Sequence, residues 1–206
     1  CSRSPMEIAP VNEPSGMRMD WRWGWLAAWI MFIVWMVIWK WSAIHWFALG
    51  DTDDNMRMMQ VRALLDGQGW YDLRQYRLNP PEGFNIHWSR FVDLPIAGII
   101  LLTRPFVGTG IAEKIAITAA PLLALGVGLY GMMLTARRLI DEDSWPVAAA
   151  ILACAQVTLV MFAPLRIDHH GWQLAFLTLM IAGSADRDRF RGGITTGLAT
   201  AFSLVI

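Results

Sequence analysis

Two groups of polar residues in this chain have the types and spacing needed for metal or phosphate chemistry. Asp51, Asp53 and Asp54 place three carboxylates within four residues. Much later in the sequence, Asp168-His169-His170 adds another carboxylate and two imidazoles. Neighbouring carboxylates repel one another unless a cation, an arginine or a helix N-terminus lies close by. Carboxylate oxygens and imidazole together suit Mn²⁺ and are acceptable to Mg²⁺. The two groups therefore predict a shared site for a divalent metal ion.

Residues near these groups are candidates for binding a phosphate-bearing substrate. Arginine grips phosphate oxygens through paired hydrogen bonds, and the candidates are Arg57, Arg90 and Arg166. His87 is a further candidate. His87 and Arg90 could instead lie among lipid headgroups beside Trp88, which is the equally favoured alternative.

The three acids at the first group admit a catalytic and a structural interpretation. A metal ion would neutralise a pyrophosphate leaving group. An acid that the metal leaves free, among Asp51, Asp53 and Asp54, could act as the base on an acceptor hydroxyl or amide. Alternatively, acids are favoured at a helix N-terminus by about 0.3–1 kcal/mol each, so both polar groups could be helix caps.

Composition indicates a membrane protein. The chain has 206 residues, of which 55% are hydrophobic and 17% charged, and its mean hydropathy is +0.39. Globular proteins have about 45–50% apolar and about 25% charged residues. The net charge is +0 and long basic runs are lacking, which gives no support to nucleic-acid binding. Two cysteines, Cys1 and Cys154, form no disulfide framework.

Long apolar blocks predict an all-α, polytopic helical membrane protein. About 20 apolar residues cross the roughly 30 Å of hydrocarbon in a bilayer. The fourth block has a short apolar run and crosses only if it begins below the outer surface, which would place Asp168 and His170 in a recess. The last block is interrupted by the end of the sequence, and we expect a longer protein. The five predicted spans are about 24–48, 115–136, 145–165, 171–185 and 194–206.

Charged residues between these blocks predict the orientation. Residues 1–20 are expected to be a disordered cytoplasmic tail, because arginines precede the first span. Residues 50–93 then form a long first extracytoplasmic loop, with a helix from Asp54 to Leu65 that Gly67 ends. The apolar run from Leu94 to Thr103 is too short to span, so residues 94–108 predict an interfacial helix. Both polar groups then lie at the extracytoplasmic face.

Two short motifs resemble a known family. Asp51-x-x-x-Asn55-x-Arg57, just after the first span, is similar to the first acidic motif of oligosaccharyltransferase catalytic subunits. Those subunits belong to the membrane-embedded GT-C glycosyltransferases. Asp168-His169-His170 resembles the Asp-x-His second motif of archaeal members. An interfacial helix after a His-containing loop is similar to protein O-mannosyltransferases. The oligosaccharyltransferase motif usually has bulky residues at the positions of Asp53 and Asp54, so this chain departs from it there.

The resemblance implies a fold, an activity and a set of metal ligands. It implies a GT-C-like transmembrane bundle with Asp51, Asp168 and His170 as the ligands of Mn²⁺ or Mg²⁺. The implied activity is transfer of a sugar from a polyprenyl-phosphate-linked donor to an acceptor whose identity stays open. The implied location is the extracytoplasmic face of a membrane such as the bacterial inner membrane.

Two other classes of function compete with this prediction. A transporter would need ionisable residues deep within its spans, and the clear spans lack them apart from Lys40 near one end. A non-catalytic membrane scaffold would use both polar groups only as helix caps. Single Asp-to-Asn substitutions separate a scaffold from an enzyme.

Overall fold

A computed structural model describes residues 20–206, and this part of the chain is mainly α-helical. The predicted tail lies outside the described residues except for Asp20, whose carboxylate accepts the backbone N–H of Arg22 and caps the first helix. The α-helices are α1 (Trp21–His45), α2 (Thr52–Leu65), α3 (Asp93–Val107), α4 (Thr109–Leu139), α5 (Trp145–Cys154), α6 (Gln156–Val160), α7 (His170–Ser184) and α8 (Arg189–Val205). A small antiparallel ribbon pairs β1 (Arg74–Gln75) with β2 (Phe84–Asn85), and a 3-10 turn covers Arg90–Val92.

The prediction of a mostly helical chain is confirmed. Among the described helices, α1 and α4 are long and apolar enough to cross a membrane. The others are shorter, so the number of crossings and their orientation stay predictions.

Helix α4 lies at the centre of the fold, and α1 packs against it through tryptophans. The indole N–H of Trp25 donates to the carbonyl of Gly126 (2.9 Å), and that of Trp29 donates to the carbonyl of Leu122 (2.8 Å). The Trp29 ring lies so close to α4 that a Cβ at position 126 would meet it at 2.6 Å. Glycine is therefore required where the two helices meet.

Helix α7 packs along another side of α4 and runs in the same direction. A Cβ at Gly131 would lie 2.4 Å from the hydroxyl of Thr178, so small residues let these backbones approach closely. At the far end, Arg138 donates to the carbonyl of Ala182 and to the carboxylate of Asp186, at 2.6 Å in each case. Arg138 thus ties the end of α4 to the end of α7 and to the residue Asp186 that follows it.

The junction between α3 and α4 differs from the prediction. We expected a span from about 115, but α4 begins at Thr109, directly after the end of α3. The reason is Gly108, whose φ of 76° lets the chain turn within one residue. The segment predicted at 94–108 as an interfacial helix is a helix, α3, that leads straight into α4, and its position at an interface stays a prediction.

The predicted span at 145–165 is shorter and interrupted. Helices α5 and α6 meet at Ala155, and α6 ends at Val160, before an irregular segment that leads to α7. Ser144-Trp145-Pro146 has the residue types of a helix start, and Pro146 does stand in the first turn of α5, but the Ser144 hydroxyl does not cap the helix. That hydroxyl donates instead to the Asp141 carboxylate (2.6 Å), which lies three residues earlier in the turn before α5.

Candidate functional site: an aspartate cluster around one arginine

The two polar groups of the sequence meet in the folded chain. Arg166 donates through Nη1 to Asp51 (2.7 Å) and to Asp54 (3.1 Å), and through Nη2 to Asp168 (2.9 Å). Asp51 and Arg166 are 115 positions apart in the sequence, so tertiary folding creates this contact. We name these four residues the aspartate cluster.

Asp51 has two roles in this cluster. Its Oδ1 accepts the backbone N–H of Asp53 (3.1 Å), so it is the N-cap of α2, which begins at Thr52 rather than at the predicted Asp54. Its Oδ2 accepts from Arg166, and this hydrogen bond lowers the pKa of the Asp51 carboxyl below its usual value. The Asp51 side chain is 41% exposed, so an ionised carboxylate faces solvent here. Asp51 therefore caps α2, as the structural interpretation predicted, and also pairs with Arg166.

Asp54 is fully buried and has its oxygens fully engaged. Oδ1 accepts the backbone N–H groups of Ile167 (2.8 Å) and Asp168 (3.2 Å), while Oδ2 accepts from Arg166. Burial raises the pKa of Asp54 to about 6, against the opposing effect of the Arg166 charge. Asp54 thus ties α2 to the segment that precedes α7 and fixes the backbone of that segment.

A proline in α4 supplies the second attachment of this segment. Pro121 has no backbone N–H, which leaves the carbonyl of Ile117 without its partner within the helix. The backbone N–H of Leu165 donates to that carbonyl at 2.8 Å. Leu165 has a φ of 78°, a left-handed conformation that costs a non-glycine residue on the order of 1 kcal/mol and concentrates at functional sites. Arg166 is thereby held between α2 and α4.

The histidines lie on the open side of the cluster. Asp168 is nearly buried, and its Oδ1 accepts the backbone N–H of His170 (3.1 Å). The Nε2 atom of His170 lies 3.9 Å from Oδ2 of Asp168, and its side chain is 45% exposed. The ring of His169 lies 4.3 Å from that of His170 and 6.4 Å from that of Trp88, between centroids. Partial burial lowers the pKa of His169, which favours its neutral form.

Two of the three residues predicted as metal ligands, Asp51 and Asp168, meet around a guanidinium, and the third, His170, lies beside Asp168. Asp51 and Asp168 each direct an oxygen at Arg166, which occupies the space between them. Across residues 20–206 no group of three or more His, Cys, Asp or Glu side chains is arranged to hold a metal ion. As arranged, these residues do not form a metal centre, and the resident positive charge is that of Arg166. Binding of Mn²⁺ or Mg²⁺ stays a prediction.

Two of the predicted phosphate-binding arginines lie in a second ionic cluster. Arg57 and Arg90 both donate to Asp93, at 3.0 Å and 3.4 Å, and the exposed fraction of each of the three side chains is 2% or less. We name these three residues the arginine clasp. Trp88 lies between the two clusters, with the Arg57 guanidinium 4.8 Å from its ring centroid. His87 is exposed on the surface beside it.

Sequence reasoning missed two residues that organise these clusters. Asp93 opens an apolar helix just after Arg90, and a lone acid in that position could have suggested a buried ion pair. Pro121 stands inside a predicted helix, where a proline always frees a carbonyl for another partner. The identity of that partner, Leu165, had no signal in the sequence.

Comparisons with protein-family models, with curated proteins and with solved structures found no match to this chain. What the chain does is therefore inferred from the aspartate cluster and from the two motifs that supply it. The cluster joins three carboxylates to one guanidinium, so negative charge is in excess when the carboxylates are ionised. This excess meets solvent at Asp51, whose side chain is 41% exposed, and could bind a hydroxyl group or a cation.

Proposed function

We propose that this chain carries the acidic site of a membrane-embedded glycosyltransferase of the GT-C type. Its substrate would be a sugar linked to a polyprenyl phosphate, and transfer would take place at the extracytoplasmic face. One observation carries the proposal: Asp51 and Asp168, from two motifs far apart in the sequence, contact the same guanidinium. The resemblance of those motifs to oligosaccharyltransferase catalytic subunits supports the same conclusion.

The position of the cluster along α4 supports an extracytoplasmic site. The carbonyl of Ile117 binds the segment that bears Arg166. Twenty residues of helix separate Ile117 from Arg137, which is about 30 Å and equals the usual hydrocarbon thickness. If Arg137 and Arg138 lie at the cytoplasmic surface, as basic residues usually do, the aspartate cluster lies at the opposite surface.

Asp51, Asp53 and Asp54 differ in their exposure to solvent, so we assign them different roles in the proposed reaction. Asp51 is ionised and accessible, so it is the acid best placed to orient an acceptor and take its proton. The bond between the anomeric carbon and phosphate oxygen would break as the acceptor oxygen or nitrogen bonds to that carbon, and the lipid phosphate would leave. Asp53 is partly exposed beside it, whereas the buried Asp54 acts as a positioning residue.

Arg166 is the predicted phosphate ligand that lies at the cluster. Its guanidinium is 19% exposed and is bound by three carboxylates, which fix its position. Because the three carboxylates offset its charge, Arg166 would act on the phosphate through the hydrogen bonds of its fixed N–H groups. The structure places Arg57 and Arg90 on Asp93, so Arg166 is the arginine of this set that we assign to phosphate.

A membrane scaffold is the second candidate, and one observation favours it. Asp51 accepts a backbone N–H as the N-cap of α2, and Asp168, just before the N-cap of α7, accepts the first backbone N–H of that helix. In a scaffold these bonds would be the whole purpose of both acids.

Transfer of sugar from a polyprenyl phosphate by the full protein in proteoliposomes separates the two candidates. Asp51→Asn should lower the rate by about 10²–10⁴-fold, because the acceptor loses its base. Asp20→Asn is the matched control, since Asp20 caps α1 through the same type of hydrogen bond and should leave the rate unchanged. Absence of transfer by the folded wild-type protein would favour the scaffold, and equal measurable rates for wild type and Asp51→Asn would contradict the role assigned to Asp51.

A further inference from the structure

A groove separates the halves of α1 and α4 that lie towards the aspartate cluster. Its volume is about 530 Å³. The indole of Trp29 closes one end through its hydrogen bond to the carbonyl of Leu122. Apolar side chains of both helices line the walls, among them Ile33, Val37, Trp41, Ile115, Ala119 and Leu123.

The other end of the groove carries a positive charge. The Lys114 amine donates to the backbone carbonyl of His45, at the C-terminal end of α1 (2.5 Å). The neighbouring carboxylate, Glu113, points to α2 instead and is bound by Arg62 at 2.6 Å. The charge of Lys114 is therefore available to an anionic group that enters the groove from this end.

The depth of the groove matches one leaflet of a bilayer. Lys114 precedes Arg137 by 23 residues, or about 35 Å of helix, which places its amine at the level of the outer lipid phosphates if Arg137 is at the inner surface. From Lys114 to Leu123 the groove follows α4 for about 14 Å, which is half the hydrocarbon thickness. Trp29 ends it near the middle of the membrane.

We propose that this groove binds a phospholipid of the outer leaflet, with one acyl chain between α1 and α4 and its phosphate on Lys114. The inference rests on the membrane setting of the proposed function but not on glycosyl transfer. A polyprenyl chain is far longer than a groove of this depth, which favours an acyl chain as the occupant. Because α1 continues from His45 into the loop bearing Asp51, the bound lipid would steady the helix that leads to the aspartate cluster.

Native mass spectrometry of the full protein, titrated with palmitoyl-oleoyl phosphatidylglycerol, tests the charged end. We expect one tightly held lipid per chain, bound about fivefold more weakly by Lys114→Gln. Lys40→Gln is the matched control, because Lys40 lies near the same end of α1 over the ring of Trp39, 4.2 Å from its centroid, and is not part of the groove. Equal weakening by both variants would overturn the assignment to Lys114.

Ala119→Trp tests the apolar wall by filling the groove. This variant should lose the tightly held lipid, while Leu102→Trp, on an exposed position of α3, should keep it. Retention of the lipid by Ala119→Trp, or its displacement by equimolar polyprenyl phosphate, would overturn the proposal. Asp51→Asn should bind the lipid like wild type, so failure of glycosyl transfer and failure of lipid binding are separate results.

Discussion

Two ionic clusters lie side by side in this chain with opposite ratios of charge. The aspartate cluster has three carboxylates and one guanidinium, and its Asp51 side chain is 41% exposed. The arginine clasp has two guanidiniums and one carboxylate, and its side chains are at most 2% exposed. One cluster is therefore open with excess negative charge, and the other is sealed with excess positive charge.

The sealed cluster compensates its excess charge with backbone carbonyls. Arg57 donates to the carbonyl of Ser89 (3.0 Å), and Arg90 donates to those of Gln60 (2.9 Å) and Asp72 (2.7 Å). These bonds tie the loop after α2 to the start of α3. Buried charge must be satisfied within the protein, whereas the open cluster has excess charge at a surface that a ligand can reach. The arginine clasp thus stabilises the fold, and the aspartate cluster is the candidate functional site.

The sharpest test of this difference is removal of the buried acid. Asp93→Asn leaves two buried guanidiniums without a counter-charge and should lower the free energy of unfolding by about 3–5 kcal/mol. The comparison variant is Glu113→Gln, which breaks a pair whose Arg62 side chain is 40% exposed and should cost about 1 kcal/mol or less. Thermal unfolding of both variants measures the two effects, and similar losses would show that burial does not distinguish the pairs.

A second test uses the raised pKa of Asp54. Between pH 4 and 6 the native protein keeps a proton on Asp54 that the unfolded chain has released, because the pKa is about 6 in the native state. Stability relative to Asp54→Asn should therefore fall as pH rises through this window, by at most about 3 kcal/mol, and level off above it. The lowered pKa of Asp51 changes the pH dependence of stability only below pH 4. Unfolding midpoints of both proteins at several pH values check this, and a constant difference from pH 4 to 6 would contradict it.

A smaller effect is expected from the proline that anchors the open cluster. Pro121→Ala restores an N–H that competes with Leu165 for the carbonyl of Ile117, which frees the segment bearing Arg166. We expect the proposed transfer rate to fall about tenfold, because small displacements of positioning groups weaken catalysis. The helix itself should not be destabilised.

Pro105→Ala controls for this change, since Pro105 lies inside α3 and not in the helix that holds the cluster. It should leave the transfer rate unchanged. If Pro121→Ala has the rate of wild type, the bond between Leu165 and Ile117 does not position the site.

Much of the architecture follows from local patterns. Apolar blocks predict helices because a hydrocarbon-facing helix satisfies its own backbone hydrogen bonds, and α1 and α4 agree with this prediction. Gly67, with a φ of 98°, follows α2 as the sequence indicated. Boundaries were less predictable where one residue decides them, as at Gly108.

The partners of the charged side chains depended on tertiary structure. The sequence determined that acids occur in two groups and that helices separate them. Only folding placed Arg166 among Asp51, Asp54 and Asp168, and it placed Arg57 on Asp93. Helix formation depends on neighbours three or four residues away, whereas an ion pair depends on which surfaces meet. Residue types therefore indicated the chemistry of this chain, and packing decided which cation the carboxylates hold.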